Sequence, residues 1–205
     1  MKIQNKRFIY LISPTKIHDN IFFKSLELIF KSKKVSFFQL RLKKEKLSKK
    51  ILISKKIIKI CRKYGVKFLV NDDPILALKV NADGCHLGQK DMSIIRAKKI
   101  LKDKIIGVTC HNSIKLAKKA LMDGANYVAV GAFYKTETKK VKFKANTSIL
   151  RKIKMLSDNP VVAIGGINEK NYKKLLLNKA NFLAISSYIW NNNKYKPYAA
   201  IEKLK

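Results

Sequence analysis

Gln39, Arg41 and Lys43 stand at alternate positions in Gln39-Leu40-Arg41-Leu42-Lys43, and that spacing turns three polar side chains to one face of an extended chain. Their neighbours Phe37, Phe38, Leu40 and Leu42 are apolar, so an inward-facing charge here needs an anionic partner. Carboxylates follow in Asn71-Asp72-Asp73-Pro74 and in Asp83-Gly84-Cys85-His86-Leu87-Gly88-Gln89-Lys90-Asp91. Asp72 and Asp91 leave successive segments, and two such carboxylates can share Mg2+, which takes few protein ligands and completes its shell with water and phosphate oxygens. Helix capping competes with this: Asp73 precedes Pro74, and Asp91 precedes Met92 at the start of a helical pattern. Spacing alone leaves both uses open.

Cys85-His86 and Cys110-His111 contain zinc-ligand types, but adjacent strand residues face opposite ways and no Cys-x-x-Cys supports them. His111 can still reach a bound substrate. The run Gly131-Ala132-Phe133-Tyr134-Lys135-Thr136-Glu137-Thr138-Lys139-Lys140 offers hydroxyls and ammonium groups suited to phosphate oxygens. Gly165 and Gly166, within Ala163-Ile164-Gly165-Gly166-Ile167, permit close backbone approach, and Ser186-Ser187 adds two hydroxyls.

The elements that must position these groups are short apolar runs alternating with amphipathic helical stretches. The runs are Phe8 to Ser13, Ser36 to Leu42, Phe68 to Asn71, Gly84 to Leu87, Ile105 to Thr109, Tyr127 to Val130, Val161 to Ile164 and Phe182 to Ser186. Between them lie patterns such as Ser48 to Tyr64, in which Ile51, Leu52, Ile58 and Cys61 mark an apolar stripe and Lys55, Lys56 and Lys59 a charged face. Repeated strand-helix units imply parallel strands, and eight of them predict one compact α/β domain over 1–205, a (β/α)8 barrel. An open dinucleotide-binding sheet would want Gly-x-Gly-x-x-Gly after the first strand, where this chain has Ser13-Pro14-Thr15-Lys16. In a barrel the chemistry belongs at the C-terminal ends of the strands, and every group named above falls there.

Composition bounds the rest. No segment is apolar enough to span a bilayer, because Lys recurs every few positions. The first apolar run is too short for a signal-peptide core and lacks a small-residue cleavage site, so a cytoplasmic protein is expected. An odd number of unpatterned cysteines suits that reducing compartment. The net charge of +33 raises the question of nucleic acid, but only Arg7, Arg41, Arg62, Arg96 and Arg151 are Arg and the Lys residues are spread over every helical pattern. The charge reads as compositional drift, with no nucleic-acid or membrane partner expected; a barrel that binds nucleic acid without catalysis is the reading this sets aside.

Taken together, Gln39-Leu40-Arg41-Leu42-Lys43, Asn71-Asp72, the 83–91 run, Gly107-Val108-Thr109-Cys110-His111, Thr136-Glu137-Thr138-Lys139, Ala163 to Ile167 and Ser186-Ser187 resemble the thiamine phosphate synthase family in order and spacing, nearly end to end. The resemblance implies a Mg2+-dependent transferase that joins a pyrimidine diphosphate to a thiazole phosphate and releases pyrophosphate. It implies that Gln39, Leu40, Arg41, Leu42, Lys43, Asn71, Thr109 and Lys139 bind the pyrimidine diphosphate, with Arg41, Lys43, Thr109 and Lys139 acting in catalysis. Asp72 and Asp91 would hold Mg2+. Thr136, Glu137, Thr138, Gly165, Gly166, Ser186 and Ser187 would bind the thiazole phosphate.

Three departures from the family pattern stand out. Thr109 replaces the usual Ser, Ala132 and Lys135 stand where prolines are common, and Ser186 replaces an aliphatic residue. A related isomerase, thiazole tautomerase, would use the same barrel with His111 as its acid or base and would need no diphosphate subsite. Retention of Arg41, Lys43, the Asp72 and Asp91 pair, and Thr136-Glu137-Thr138-Lys139 argues for the synthase.

Overall fold

The structure is a computed structural model of the 205-residue chain and describes residues 7–17, 20–136 and 144–205. Among the described residues the strands are β1 (Ile9–Ile12), β2 (Val35–Leu40), β3 (Lys67–Asn71), β4 (Gly84–Leu87), β5 (Ile105–Thr109), β6 (Tyr127–Gly131), β7 (Val161–Ile164) and β8 (Phe182–Ile185). Each pairs in parallel with the next, and β8 closes on β1. The helices between them are α1 (Asn20–Lys31), α2 (Leu47–Tyr64), α3 (Pro74–Lys79), α4 (Ile94–Leu101), α5 (Ile114–Met122), α6 (Ser148–Lys154) and α7 (Tyr172–Leu177), with α8 (Ser187–Trp190) and α9 (Pro197–Glu202) closing the chain. This is the expected (β/α)8 barrel.

Strand limits read from the sequence hold within one or two residues, with one instructive difference. β2 stops at Leu40, so Arg41 and Lys43 stand beyond it rather than within it. At that point the Arg41 amide leaves the ladder and donates to the Ser13 hydroxyl at 2.9 Å, which ties the residues after β2 to those after β1. In α2 the buried stripe is Ile53, Ser54, Ile57, Ile58 and Cys61, while Leu52 faces solvent. Ile58 and Cys61 hold their expected places, Ile51 is partly buried against the core, and the fully buried ridge follows i, i+4 steps from Ile53 through Ile57 to Cys61.

Period-two alternation divides each strand between two cores. Outward residues such as Phe38, Phe68, Cys85 and Ile106 pack under the helices. Inward residues fill the barrel: Tyr10, Ile12, Leu69, Tyr127, Ala129, Val162 and Ala184, flanked by Phe37, Ile105, Ile164 and Phe182. Size is matched across this interior. Gly107 pairs with Tyr127 in the ladder, and a Cβ at 107 would lie 1.8 Å from the Tyr127 ring. The missing side chain on β5 is the space that the tyrosine occupies.

Candidate active site

A cavity of about 790 Å³ opens at the C-terminal ends of the strands. Of the residues singled out from sequence, it is lined by Gln39, Arg41, Lys43, Asn71, Asp72, Asp91, Thr109, Thr136, Gly165, Gly166, Ser186 and Ser187. Two expectations take another place. Leu40 and Leu42 are buried with their side chains in the core beneath the helices, because the alternation that aims Gln39 and Arg41 inward sends the leucines outward. Glu137, Thr138 and Lys139 lie outside the described residues.

The β2 to β4 side of the rim is bound together by its own side chains. Gln39, buried on the inner face of β2, donates from Nε2 to Asn71 Oδ1 at 3.1 Å. Lys43 Nζ meets Asp72 Oδ2 at 2.6 Å. Asp73 caps α3 by accepting from the Leu76 amide at 2.8 Å, which answers the capping question for that pair of aspartates and leaves Asp72 facing the cavity. Asp72 itself sits in the left-handed region at φ 65, its amide donating to the His86 carbonyl across the β3–β4 ladder at 2.7 Å. Asp91 is not a cap: α4 is capped by Ser93, and Asp91 Oδ2 accepts from the Gly88 amide at 2.7 Å, which folds the post-β4 loop back over the strand end.

Asp72 and Asp91 interact at the cavity rim, and each shifts the acidity of the other. Burial pushes Asp72 up, but the Lys43 hydrogen bond, the contact with Asp91 and the charges of Lys43 and Arg41 together hold it below the usual carboxylate range. Burial, and then the negative charge of Asp72, raise Asp91 against the opposing Gly88 amide. Two adjacent carboxylates under cationic side chains are a donor set for a hard dication with anionic co-ligands. Among the described residues no group of three or more His, Cys, Asp or Glu gathers.

The floor of the cavity holds groups to which sequence reading gave no role in the site. His86 projects inward while Cys85 packs outward, as the alternation requires. Its Nε2 lies 2.8 Å from Thr109 Oγ1 and its Nδ1 lies 2.8 Å from the Tyr127 hydroxyl. Burial holds the His86 imidazole at a pKa of about 4, so the ring is neutral near pH 7. Gln89 Nε2 donates to the Thr109 carbonyl at 2.6 Å. The signal for the tyrosine was present in the Gly107–Tyr127 pairing, which only the barrel register reveals.

The β6 to β8 side is built differently. Gly165 and Gly166 adopt φ 104 and 63, and a Cβ at Gly166 would come within 2.2 Å of the Lys135 carbonyl oxygen. Glycine is therefore required for the strand-7 loop to pass beneath the strand-6 loop. Ser186 Oγ donates to the Ser13 carbonyl at 3.2 Å and ties the end of β8 to that of β1.

A family model for thiamine monophosphate synthase matches residues 9–189 of this chain. The chain belongs to the thiamine monophosphate synthase family. It is 68% identical over 201 residues to thiamine-phosphate synthase of Pelagibacter ubique, covering 98% of this chain and 97% of that protein. A second thiamine-phosphate synthase, from Hyphomonas neptunium, is 39% identical over 199 residues, covering 94% and 90% of the two chains. Among solved structures, thiamine phosphate pyrophosphorylase from Pyrococcus furiosus superposes with a TM-score of 0.85 at 30% identity, covering 99% of this chain and 96% of that one. Membership of the thiamine monophosphate synthase family makes the chain an enzyme, of the transferase class. Among the described residues no helix is long and apolar enough to cross a membrane.

Proposed function

We propose that the protein condenses 4-amino-2-methyl-5-(diphosphooxymethyl)pyrimidine with a thiazole phosphate, giving thiamine phosphate and pyrophosphate. The observation that carries this reading is the two-sided cavity. One rim gathers Arg41, Lys43, Asp72 and Asp91, and the opposite rim is made of Gly165, Gly166, Ser186 and Ser187. The first suits a metal-bound diphosphate and the second a phosphate monoester held by backbone amides and hydroxyls.

The reaction breaks the bond between the pyrimidine methylene carbon and the diphosphate oxygen, and the electron pair leaves with pyrophosphate. The carbocation so formed is captured by the lone pair of the thiazole nitrogen, which makes the new C–N bond. Arg41 and Lys43 would stabilise the negative charge that grows on the departing diphosphate, and no side-chain nucleophile is required. Asp72 and Asp91 would hold Mg2+, which when bound supplies Lewis-acid stabilisation to phosphate oxygens. Gln39, Asn71 and Thr109 would orient the pyrimidine, with Leu40 and Leu42 contributing through backbone only. Lys139 would add a contact to the diphosphate, and Thr136, Glu137 and Thr138 would complete the thiazole phosphate side. We further assign the whole of 1–205 to one catalytic domain working in a reducing cytoplasm, where the buried Cys61, Cys85 and Cys110 remain thiols.

Mixing both substrates with the protein and Mg2+ is expected to release pyrophosphate and form thiamine phosphate. Failure with either thiazole tautomer would overturn the synthase reading. Conversion of one thiazole tautomer to the other without pyrophosphate would instead establish an isomerase using His111.

A further inference from the structure

A chain of hydrogen bonds runs from the barrel interior to the cavity: Tyr10 hydroxyl to Tyr127 hydroxyl, Tyr127 hydroxyl to His86 Nδ1, and His86 Nε2 to Thr109 Oγ1, each 2.8 Å long. We propose that His86 is a positioning residue, locked in the Nε2–H tautomer by Tyr10 and Tyr127, so that Thr109 presents its hydroxyl proton to the ligand as a donor. The inference rests on the functional reading above only for the identity of that ligand.

Proton counting supplies the argument. Tyr10 and Tyr127 are 2% and 3% exposed, and a buried donor left without an acceptor is costly. The Tyr10 hydroxyl has the Tyr127 hydroxyl as its one hydrogen-bonding partner among the described residues, so its proton goes there. Tyr127, now accepting from Tyr10, gives its own proton to His86 Nδ1. A neutral imidazole carries one N–H, which must then sit on Nε2 and point at Thr109 Oγ1. Thr109 accepts that bond and turns its own proton into the cavity it lines. The opposite sense would bury the Tyr10 proton with nothing to receive it.

The sense of the chain has a chemical consequence. A hydroxyl that accepts from His86 keeps its own proton free for a lone-pair acceptor, the class to which a pyrimidine ring nitrogen belongs. Three tyrosine- and histidine-borne bonds deep in the barrel thus set the polarity of one contact at its mouth.

Two measurements test this. In protein labelled with ¹⁵N-histidine, with the signals assigned by His86→Gln, long-range ¹H–¹⁵N spectra are expected to show His86 as the Nε2–H tautomer, and Tyr127→Phe to release it into a mixture. An Nδ1–H tautomer in the wild type overturns the proposal, whatever the protein catalyses. In the pyrophosphate assay, Thr109→Val and His86→Leu are each expected to lower kcat/KM for the pyrimidine diphosphate by about tenfold or more, with the KM for thiazole phosphate unchanged. The double variant should be no worse than either single one, and His86→Gln, which can accept from Tyr127 and donate to Thr109, should recover most of the loss. Of two pyrimidine analogues with one ring nitrogen replaced by C–H, one should lose the same factor and cease to respond to Thr109→Val. Additive losses, no rescue by Gln, or two analogues that both still respond would refute the positioning role. Absence of any thiamine phosphate from the wild type would count against the functional reading and leave the tautomer result standing.

Discussion

The two sides of the cavity mouth are held in place by different means. From β2 to β4 the rim is a mesh of side chains, with Lys43 on Asp72, Gln39 on Asn71 and Asp91 on the Gly88 amide. Among the described residues from β6 to β8, Gly165 and Gly166 adopt conformations that a side chain would strain and Ser186 is bonded to a carbonyl. The contrast follows from what each side is proposed to meet. A leaving diphosphate gains charge during reaction, and mobile-ended but anchored cations can follow that change. A phosphate monoester that is only held needs a close, fixed surface, and glycine lets backbone amides approach where a Cβ would block them.

The sharpest way to break the comparison is to remove charge from the first side. Asp72→Ala or Arg41→Ala is expected to cut pyrophosphate release by about a thousandfold while circular dichroism shows an intact barrel, and chelation of Mg2+ should do the same to the wild type. On the second side, Gly166→Ala should raise the KM for thiazole phosphate about tenfold, leaving that for the pyrimidine diphosphate within about twofold. If Gly166→Ala instead damaged both substrates equally, the two sides would not be separate subsites.

The floor joins the two sides, and its stability should depend on pH. His86 has its pKa depressed from an ordinary 6.5 to about 4, so the unfolded chain takes up the proton first as pH falls. Stability from the neutral, bonded ring is therefore full above about 6.5 and is lost between there and about 4, with a size on the order of 3 kcal/mol. Urea unfolding at pH 7 and pH 4.5 should show this drop, and His86→Gln should remove most of its slope. The smallest effect is expected from Ser186→Ala, which deletes one hydrogen bond to the Ser13 carbonyl and should cost about 1 kcal/mol, read as a small shift of the denaturation midpoint.

Sequence alone carried the architecture because each strand is short, apolar and followed by an amphipathic helix. That repeat has few solutions for parallel strands. It also carried the residues of the first side, since charges at period-two spacing inside an apolar run are conspicuous. It misplaced the end of β2, because the departure of Arg41 from the ladder depends on the Ser13 hydroxyl 28 residues away in the chain. It left helix capping open at Asp73 and Asp91, and only the folded loops showed Asp73 on the end of α3 and Ser93, rather than Asp91, on the end of α4.

Residue types and local periodicity thus determined which elements form and which side chains face inward. Closing the barrel decided the rest. Tyr10 and Tyr127 are 117 positions apart, and only a closed sheet brings their hydroxyls to 2.8 Å. Gly107 is an unremarked strand glycine until the register sets it against the Tyr127 ring. Local propensity acts over a few residues, whereas the polarity of the site is set by hydrogen-bond partners that meet only when the sheet closes on itself.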